Sequence, residues 1–282
     1  MTLQSQTHDL SKARTLHSLD ATKWLGNGRA YWLEWDHPGE TPRSFASIVE
    51  GLEWVRWPQF IKPGSTAIDI GTHSGDTTIP MGLFAYDQQR RKKGAIIGVE
   101  PNPDLHKLVE SCYALNEHIA HFYLEKCAVT DRDIDKIELA DHGNANCNGG
   151  IIGDYNDGLK EELQKRATTT YKAQGKSLES IVNSYSNKID PRDILFVKMD
   201  CEGYDKEIVR SSASILSQLK PTLFVEWFAW FSDEDSADLF SAIEEIGYVA
   251  LHPGTLQRVD ASGERLSDLT CVHASRLAGL ER

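Results

Sequence analysis

Four acidic residues each come at or near the end of an apolar run, an arrangement that can do chemistry. They are Asp69, Glu100, Asp200 and Glu226. A carboxylate can accept hydrogen bonds from a ribose diol, take a proton from a reacting group or bind a cation. Because a buried carboxylate is costly without a partner, we expect each of the four to meet a ligand or a donor. If the runs are parallel strands, the four acids face one crevice.

The clearest strand–loop–helix pattern lies in residues 66–78. Thr66–Ile70 is apolar or β-branched except for Asp69, which is typical of a strand buried on both faces. Gly71 and Gly75 follow, and they permit a sharp turn and the close approach of a ligand to the backbone. Ligands of open α/β sheets bind outside the carboxyl ends of the strands. The segment is therefore a candidate cofactor site; a tight turn without a ligand is the alternative.

The glycine spacing limits the kind of cofactor. The Gly-Lys-Ser/Thr of a P-loop and the G-x-G-x-x-G of dinucleotide-binding folds are both absent here. The segment is similar instead to the first motif of class I methyltransferases, Asp-x-Gly-x-x-x-Gly, which holds S-adenosylmethionine. That cofactor has no phosphate, and its amino-acid end carries both charges. An acid and backbone N–H groups suit it.

Apolar runs alternate with helical patterns along most of the chain, which predicts an α/β sheet with helices on both faces. The predicted strands are residues 66–70, 95–100, 122–129, 194–200, 222–227, 248–251 and 269–273. The predicted helices are residues 76–91, 103–116, 177–185, the stretch after Gly203 to residue 216, and one capped by Ser232 with an acid three residues later.

Three other segments are less regular. Residues 24–57 contain five of the seven tryptophans, and we expect residues 1–57 to form a helical extension that packs as a cap onto a main domain of residues 58–282. The alternative is that some of these aromatic side chains line a wall of the substrate site. Residues 142–150 are expected to form a surface loop or a loop that covers the site, and residues 154–176 a charged helix or tether.

The composition excludes some partners. The chain has 282 residues and a formal charge of −12, which argues against a broad nucleic-acid surface and against an anionic membrane. Its five cysteines show no zinc spacing, and no signal peptide is evident. We therefore expect reduced thiols and a cytoplasmic protein. A homo-oligomer is possible, since the tryptophan-rich segment can also face a second subunit.

Four segments together resemble the FkbM family of S-adenosylmethionine-dependent methyltransferases. They are Asp69-Ile-Gly-Thr-His-Ser-Gly, Val99-Glu-Pro-Asn-Pro, Lys198-Met-Asp-Cys-Glu-Gly-Tyr-Asp and Leu223-Phe-Val-Glu. The resemblance covers roughly residues 58–250. It implies a Rossmann-like, mostly parallel seven-stranded sheet with a reversed last strand. It also implies methylation of a hydroxyl on a small molecule, sugar or polyketide.

The resemblance also implies roles for individual residues. The methionine end of the cofactor would lie on Asp69, Gly71, Thr72, His73 and Gly75, and the ribose on Glu100. Pro101 and Asn102 would shape the turn beneath the adenine, with Cys127 and Ala128 at the end of the third strand completing the cofactor set. Asp200 would lie where cofactor and acceptor meet. The sequence departs from the family pattern at His73, where Asn is common, and at Asp76, where an aromatic is common.

Asp200, Glu202 and His73 are the candidate bases for the acceptor hydroxyl. The alternatives are that Glu202 pairs with Lys198 or caps a helix, and that the side chain of His73 forms a hydrogen bond within its own loop. No tight metal-ligand spacing is present, so no metal is predicted, although Asp200, Glu202 and Glu226 have oxygens that suit magnesium. A non-catalytic cofactor-binding protein is the alternative from another class. A nicotinamide oxidoreductase is disfavoured by the missing third glycine.

Overall fold

The computed structural model describes residues 13–35, 43–141, 149–151 and 169–280. Thirteen strands lie in these residues, numbered in chain order. They are β1 (Ala13–Asp20), β2 (Arg29–Trp35), β3 (Thr66–Ile70), β4 (Ala95–Val99), β5 (His121–Glu125), β6 (Cys127–Val129), β7 (Ile134–Asp141), β8 (Gly149–Ile151), β9 (Thr169–Lys176), β10 (Ile194–Met199), β11 (Thr222–Glu226), β12 (Tyr248–Leu251) and β13 (Asp268–His273).

Nine α-helices lie in the same residues, and none of them is both long and apolar enough to cross a membrane. They are α1 (Thr22–Leu25), α2 (Phe45–Trp54), α3 (Trp57–Phe60), α4 (Thr78–Phe84), α5 (Pro103–Leu115), α6 (Leu178–Ser184), α7 (Asp205–Ser211), α8 (Ala213–Leu219) and α9 (Asp233–Glu245).

The central sheet has seven strands in the order β12-β13-β11-β10-β3-β4-β5. Strands β3, β4, β5, β10 and β11 are parallel, whereas β13 runs antiparallel to both of its neighbours. Every residue of β3 and β4 is buried, as expected for apolar runs covered on both faces. The predicted seven-stranded sheet with a reversed last strand is thus confirmed. Its order places the ends of β4, β3, β10 and β11 side by side.

Two smaller sheets were not predicted. The described part of the N-terminal extension, expected to be helical, contains the antiparallel pair β1–β2. The short helix α1 lies between these two strands, and α2 and α3 follow them. The predicted third strand divides: β5 ends in the central sheet at Glu125, and β6 joins a second sheet of order β6-β9-β7-β8. Strand β9 also replaces the end of the predicted charged helix or tether over residues 154–176, most of which lies outside the described residues. Seven residues of the predicted loop, 142–148, lie outside them too.

Two predicted helices are shorter than expected. The helix after the glycine loop ends at Phe84 rather than near residue 91, because Asp87 and Lys92 exchange backbone hydrogen bonds of 2.8 and 3.1 Å in a turn. The helix predicted to end at residue 216 is interrupted at Ser212. The capping box predicted at Ser232 is present, with Asp235 as its partner.

The extension shares one hydrophobic core with a face of the central sheet. Trp57 is buried, with ring centroids 5.0 Å from Phe196 of β10 and 5.1 Å from Phe224 of β11. Trp32 and Trp35 are buried as well, whereas Trp54 is 66 % exposed. The first three side chains therefore have the packing role expected of a cap.

Candidate functional site

The glycine loop after β3 packs directly against the chain that leaves β10. Gly71 has φ +80°, and a Cβ there would lie 2.0 Å from the carbonyl oxygen of Asp200, so no larger residue fits. The N–H groups of Gly71 and Thr72 both donate to Val99 O, at 3.0 and 3.1 Å. Gly75, with φ +86°, closes the loop by donating to Thr72 O at 2.8 Å. The loop is thus fixed between the ends of β4 and β10.

Asp69 is fully buried beneath this loop and meets protein donors. Its Oδ2 accepts from the hydroxyls of Thr77 at 2.9 Å, Thr72 at 3.2 Å and Thr78 at 2.5 Å. Its Oδ1 lies 3.3 Å from Lys198 Nζ. The expectation that the acid meets a partner is therefore satisfied inside the protein, and Asp69 holds the shape of the loop.

Lys198 joins the loop to the end of β10. Its Nζ donates to Gly71 O at 3.1 Å and lies 3.2 Å from Asp200 Oδ2. Burial lowers the pKa of Lys198, but the carboxylates of Asp200 and Asp69 outweigh burial and leave the pKa well above its usual value. Sequence reasoning considered Lys198 only as an alternative partner of Glu202 and so missed this role. The signal was present, since positions 198 and 200 alternate onto the same face of a strand.

Glu100 connects the glycine loop to the turn after β4. It is nearly buried; its Oε2 accepts from His73 N and its Oε1 from Asn102 N, both at 2.8 Å. Burial raises the pKa of Glu100 to about 7, although these donors and Lys198 lower it. A carboxylate has about four acceptor positions, so two hydrogen bonds leave room for a diol. The acid therefore fits the ribose of S-adenosylmethionine.

The remaining predicted cofactor residues lie in the glycine loop, in the turn after β4 and in β6. His73 has φ +47°, and its backbone, not its ring, makes the bond to Glu100. Asn102 follows the half-buried Pro101 and caps α5 through a bond from Asp104 N of 3.0 Å, so its predicted capping role is present. Cys127 and Ala128 are buried in β6, within the same apolar cluster as Val99.

A cluster of acids, which we call the acidic end, follows β10 and β11. Asp200, Glu202 and Glu226 each have a carboxylate oxygen within 4.8 Å of the others. Glu226 Oε2 accepts from Glu202 N at 3.1 Å. The fully buried Asp205 and the half-buried Asp268 complete the acidic end.

Burial and neighbouring acids raise the pKa of four carboxyls at the acidic end, those of Glu202, Asp205, Glu226 and Asp268. Burial, then the charges of Asp200 and Asp205, raise the pKa of Glu202 to about 8. Burial and Asp200 raise the pKa of Asp205 to about 8 as well. For Glu226, burial and the neighbouring acids keep the pKa well above its usual value. The acidic end is therefore suited to holding and exchanging protons near neutral pH.

A family model for the FkbM methyltransferase domain matches residues 69–250. The chain belongs to this family. The match begins at Asp69 and includes Glu100, Lys198, Asp200 and Glu226. The family and the central sheet together show that this protein is an S-adenosylmethionine-dependent methyltransferase, with S-adenosylmethionine as its cofactor. A comparison with curated protein sequences found no match.

Solved structures with similar folds are distant in sequence. The FkbM methyltransferase of Methylobacillus flagellatus KT is 14% identical, with a TM-score of 0.44; the match covers 80% of this chain and 56% of that protein. An O-methyltransferase of Bacillus cereus in complex with SAH is 11% identical, with a TM-score of 0.43 and 84% of each chain covered. Aeropyrum pernix fibrillarin with natively bound S-adenosyl-L-methionine is 10% identical, with a TM-score of 0.41 and 94% and 96% covered.

Proposed function

We propose that this protein is an O-methyltransferase whose acceptor is a hydroxyl on a small molecule, sugar or polyketide. The observation that carries the proposal is the convergence of Asp200, Glu202 and Glu226, within 4.8 Å of one another, beside the loop that follows β3. A hydroxyl must lose its proton when it is methylated, and carboxylates with raised pKa values are suitable proton acceptors.

The cofactor residues are proposed on the contacts around the two loops. S-adenosylmethionine supplies an electrophilic methyl group on a positively charged sulfur. Glu100 would accept the ribose hydroxyls, and Pro101, Asn102, Cys127 and Ala128 would border the adenine. Gly71, Thr72, His73 and Gly75 would form the backbone surface for the methionine end. Asp69 and Lys198 hold that surface in place from within.

Glu202 is the proposed general base. Its pKa of about 8 is close to the pH at which an enzyme works, which favours proton transfer in both directions. Asp200 is held by Lys198 at 3.2 Å, and we assign it the orientation of the acceptor hydroxyl between the base and the methyl group. Alignment of this kind contributes up to about 7–11 kcal/mol in ideal intramolecular reactions. His73 remains a weaker candidate base.

The charge of the site limits the acceptor. Within the described residues, the acidic end contains five carboxyl groups, and Lys198 is the cation that reaches it. The negative charge that develops as these carboxyls ionise would repel anionic acceptors such as nucleic acids, so we propose a neutral or cationic acceptor. Four cysteines in the described residues are free thiols, which supports a cytoplasmic location.

Transfer assays with S-adenosylmethionine and a panel of sugars, polyols and polyketide alcohols would test the proposal. We expect S-adenosylhomocysteine to appear only with a hydroxyl acceptor, and the product to gain one methyl group on oxygen. Methylation on nitrogen or carbon would contradict the acceptor class. Cofactor binding without transfer to any acceptor would favour a non-catalytic protein.

The same assay distinguishes activation of the hydroxyl by a base from its activation by a bound metal ion. Lys198 already supplies a positive charge beside Asp200, so we expect EDTA to leave the rate unchanged. If EDTA abolished the activity and Mg²⁺ restored it, the hydroxyl would be activated by a metal ion held by the same three acids and not by Glu202.

A further inference from the structure

The N-terminal extension reaches the glycine loop through Trp32. The Trp32 side chain is fully buried, and its Nε1 donates to Ser74 Oγ at 3.2 Å. On the other side of Ser74, its carbonyl accepts from Cys112 Sγ at 3.4 Å, while Cys112 Sγ accepts from Leu33 N at 3.3 Å. The extension therefore forms one wall of the loop that is proposed to hold the methionine end.

Arg43, which lies two residues before the first residue of α2, is held in place at this wall. Its N–H donates to Glu34 Oε1 at 2.7 Å, and Glu34 is itself buried, with Oε2 at 2.9 Å from His17 Nε2. The Arg43 guanidinium lies 5.3 Å from the ring centroid of Trp32. Its Nη1 lies 2.8 Å from Asp76 Oδ2. The position of Arg43 is thus determined by contacts to its backbone, its guanidinium plane and its charge.

Asp76 directly follows Gly75, the last glycine of the loop. Burial raises the pKa of Asp76, but the charges of Arg43, His73 and Lys198 outweigh burial, so the pKa is lowered and the carboxylate stays ionised.

We propose that Arg43 and Asp76 bind the zwitterionic α-amino-acid end of the cofactor, with Arg43 taking the α-carboxylate and Asp76 the α-ammonium group. This inference rests on the proposed cofactor site. A guanidinium carries five N–H donors in a fork that matches a carboxylate. The contact to Asp76 uses Nη1, and 42% of the Arg43 side chain is exposed. A zwitterion complements an existing ion pair without adding net charge to the site.

Calorimetric titration with two ligands would test this assignment. S-adenosylhomocysteine has the amino-acid end, whereas 5′-methylthioadenosine has the same nucleoside and sulfur without it. We expect Arg43→Ala to raise the Kd for S-adenosylhomocysteine about tenfold or more and to leave the Kd for methylthioadenosine within about twofold. Asp76→Asn should show the same selectivity, and Arg43→Lys should recover part of the lost affinity.

The control is Arg90→Ala, which breaks a 3.1 Å ion pair with Asp87 away from the loop and should change neither affinity. Equal weakening of both ligands by Arg43→Ala would mean that the ion pair only fastens the extension, and no weakening of either would also overturn the assignment. Should Arg43→Ala not fold, the comparison of Arg43→Lys with Asp76→Asn provides the same two-ligand readout. A wild-type protein that binds neither ligand would refute the cofactor site itself, and this inference with it.

Discussion

The glycine-loop end of the site, residues 69–76 with Glu100, and the acidic end treat carboxylates in opposite ways. At the glycine-loop end, Asp69 accepts hydrogen bonds from threonines and Asp76 pairs with Arg43. Glu100 accepts two backbone hydrogen bonds there, although burial raises its pKa to about 7. At the acidic end, Glu202 and Glu226 lie beside other acids, and their pKa values rise because of burial and those neighbours. Carboxylates that are paired with donors or cations make a rigid surface, whereas carboxylates that lie beside other acids can exchange protons. We therefore assign cofactor binding to the glycine-loop end and proton transfer to the acidic end.

The largest effect should come from removing the base at the acidic end. Glu202→Gln keeps the shape of the side chain but cannot accept a proton as a carboxylate, so we expect kcat to fall about 10²–10⁴-fold. The Kd for S-adenosylmethionine should stay the same, because the glycine-loop end is intact. Steady-state rates and calorimetry measure the two quantities. The exposed Glu264→Gln is the control, and a normal kcat in Glu202→Gln would refute the assignment of the base.

At the glycine-loop end, a comparable loss should appear in stability. Asp69→Ala removes the partner of three threonines and of the buried Lys198. Breaking a buried ion pair costs about 3–5 kcal/mol, and each kcal/mol lowers Tm by about 2–4 °C for a protein of this size. Thermal unfolding measures the shift.

Asp131→Ala is the matched control, because Asp131 forms an exposed pair with Arg132 and its loss should leave Tm almost unchanged. Equal Tm values for both variants would mean that Asp69 does not support the loop.

The pH dependence of stability should reveal the acidic end. The pKa of Glu202 is raised from its usual 4.5 to about 8, so the folded protein retains a proton that the unfolded chain releases. The free energy of unfolding should therefore fall as pH rises from about 4.5 to about 8, while kcat rises over the upper part of that range as the base ionises.

Melting curves between pH 5 and 9 would show a decline of Tm by a few degrees. Glu202→Gln should flatten the decline, and a slope identical to that of wild type would remove Glu202 as its source.

The smallest effect should come from one of the threonines on Asp69. Thr77→Val removes a single 2.9 Å hydrogen bond, and Thr72, Thr78 and Lys198 still hold the carboxylate. We expect a loss of about 1 kcal/mol in the free energy of unfolding, measured by urea denaturation, with normal turnover. A loss as large as that of Asp69→Ala would show that the hydroxyls act as a unit rather than as separate supports.

The central sheet could be predicted because its strands are apolar on both faces. Thr66–Ile70, Ala95–Val99 and Thr222–Glu226 have little alternative to burial. The acids follow from the same pattern, since each comes where an apolar run ends. Capping at Asn102 and Ser232 was also predictable, because it depends on residues adjacent in sequence.

What could not be predicted depends on partners far away in sequence. Strand β2 owes its place to contacts such as Tyr31 N with Asn116 Oδ1 at 2.9 Å, and β6 to pairing with β9. Three threonines contact Asp69, and the sequence shows their spacing but not these contacts. Arg43 was not singled out, because nothing near it in sequence relates it to Asp76.

The segment between β6 and β9 is closed at its base. Thr130 N donates to Lys176 O at 2.9 Å, and Gly175 approaches Thr130 so closely that a Cβ would lie 2.6 Å from Thr130 Oγ1. Its two ends therefore leave the main domain at one point, as the ends of an inserted cassette do. Replacement of residues 131–175 by a segment of another length is therefore expected to leave the central sheet in place, because the join needs only the close approach of Thr130 to Gly175 and Lys176.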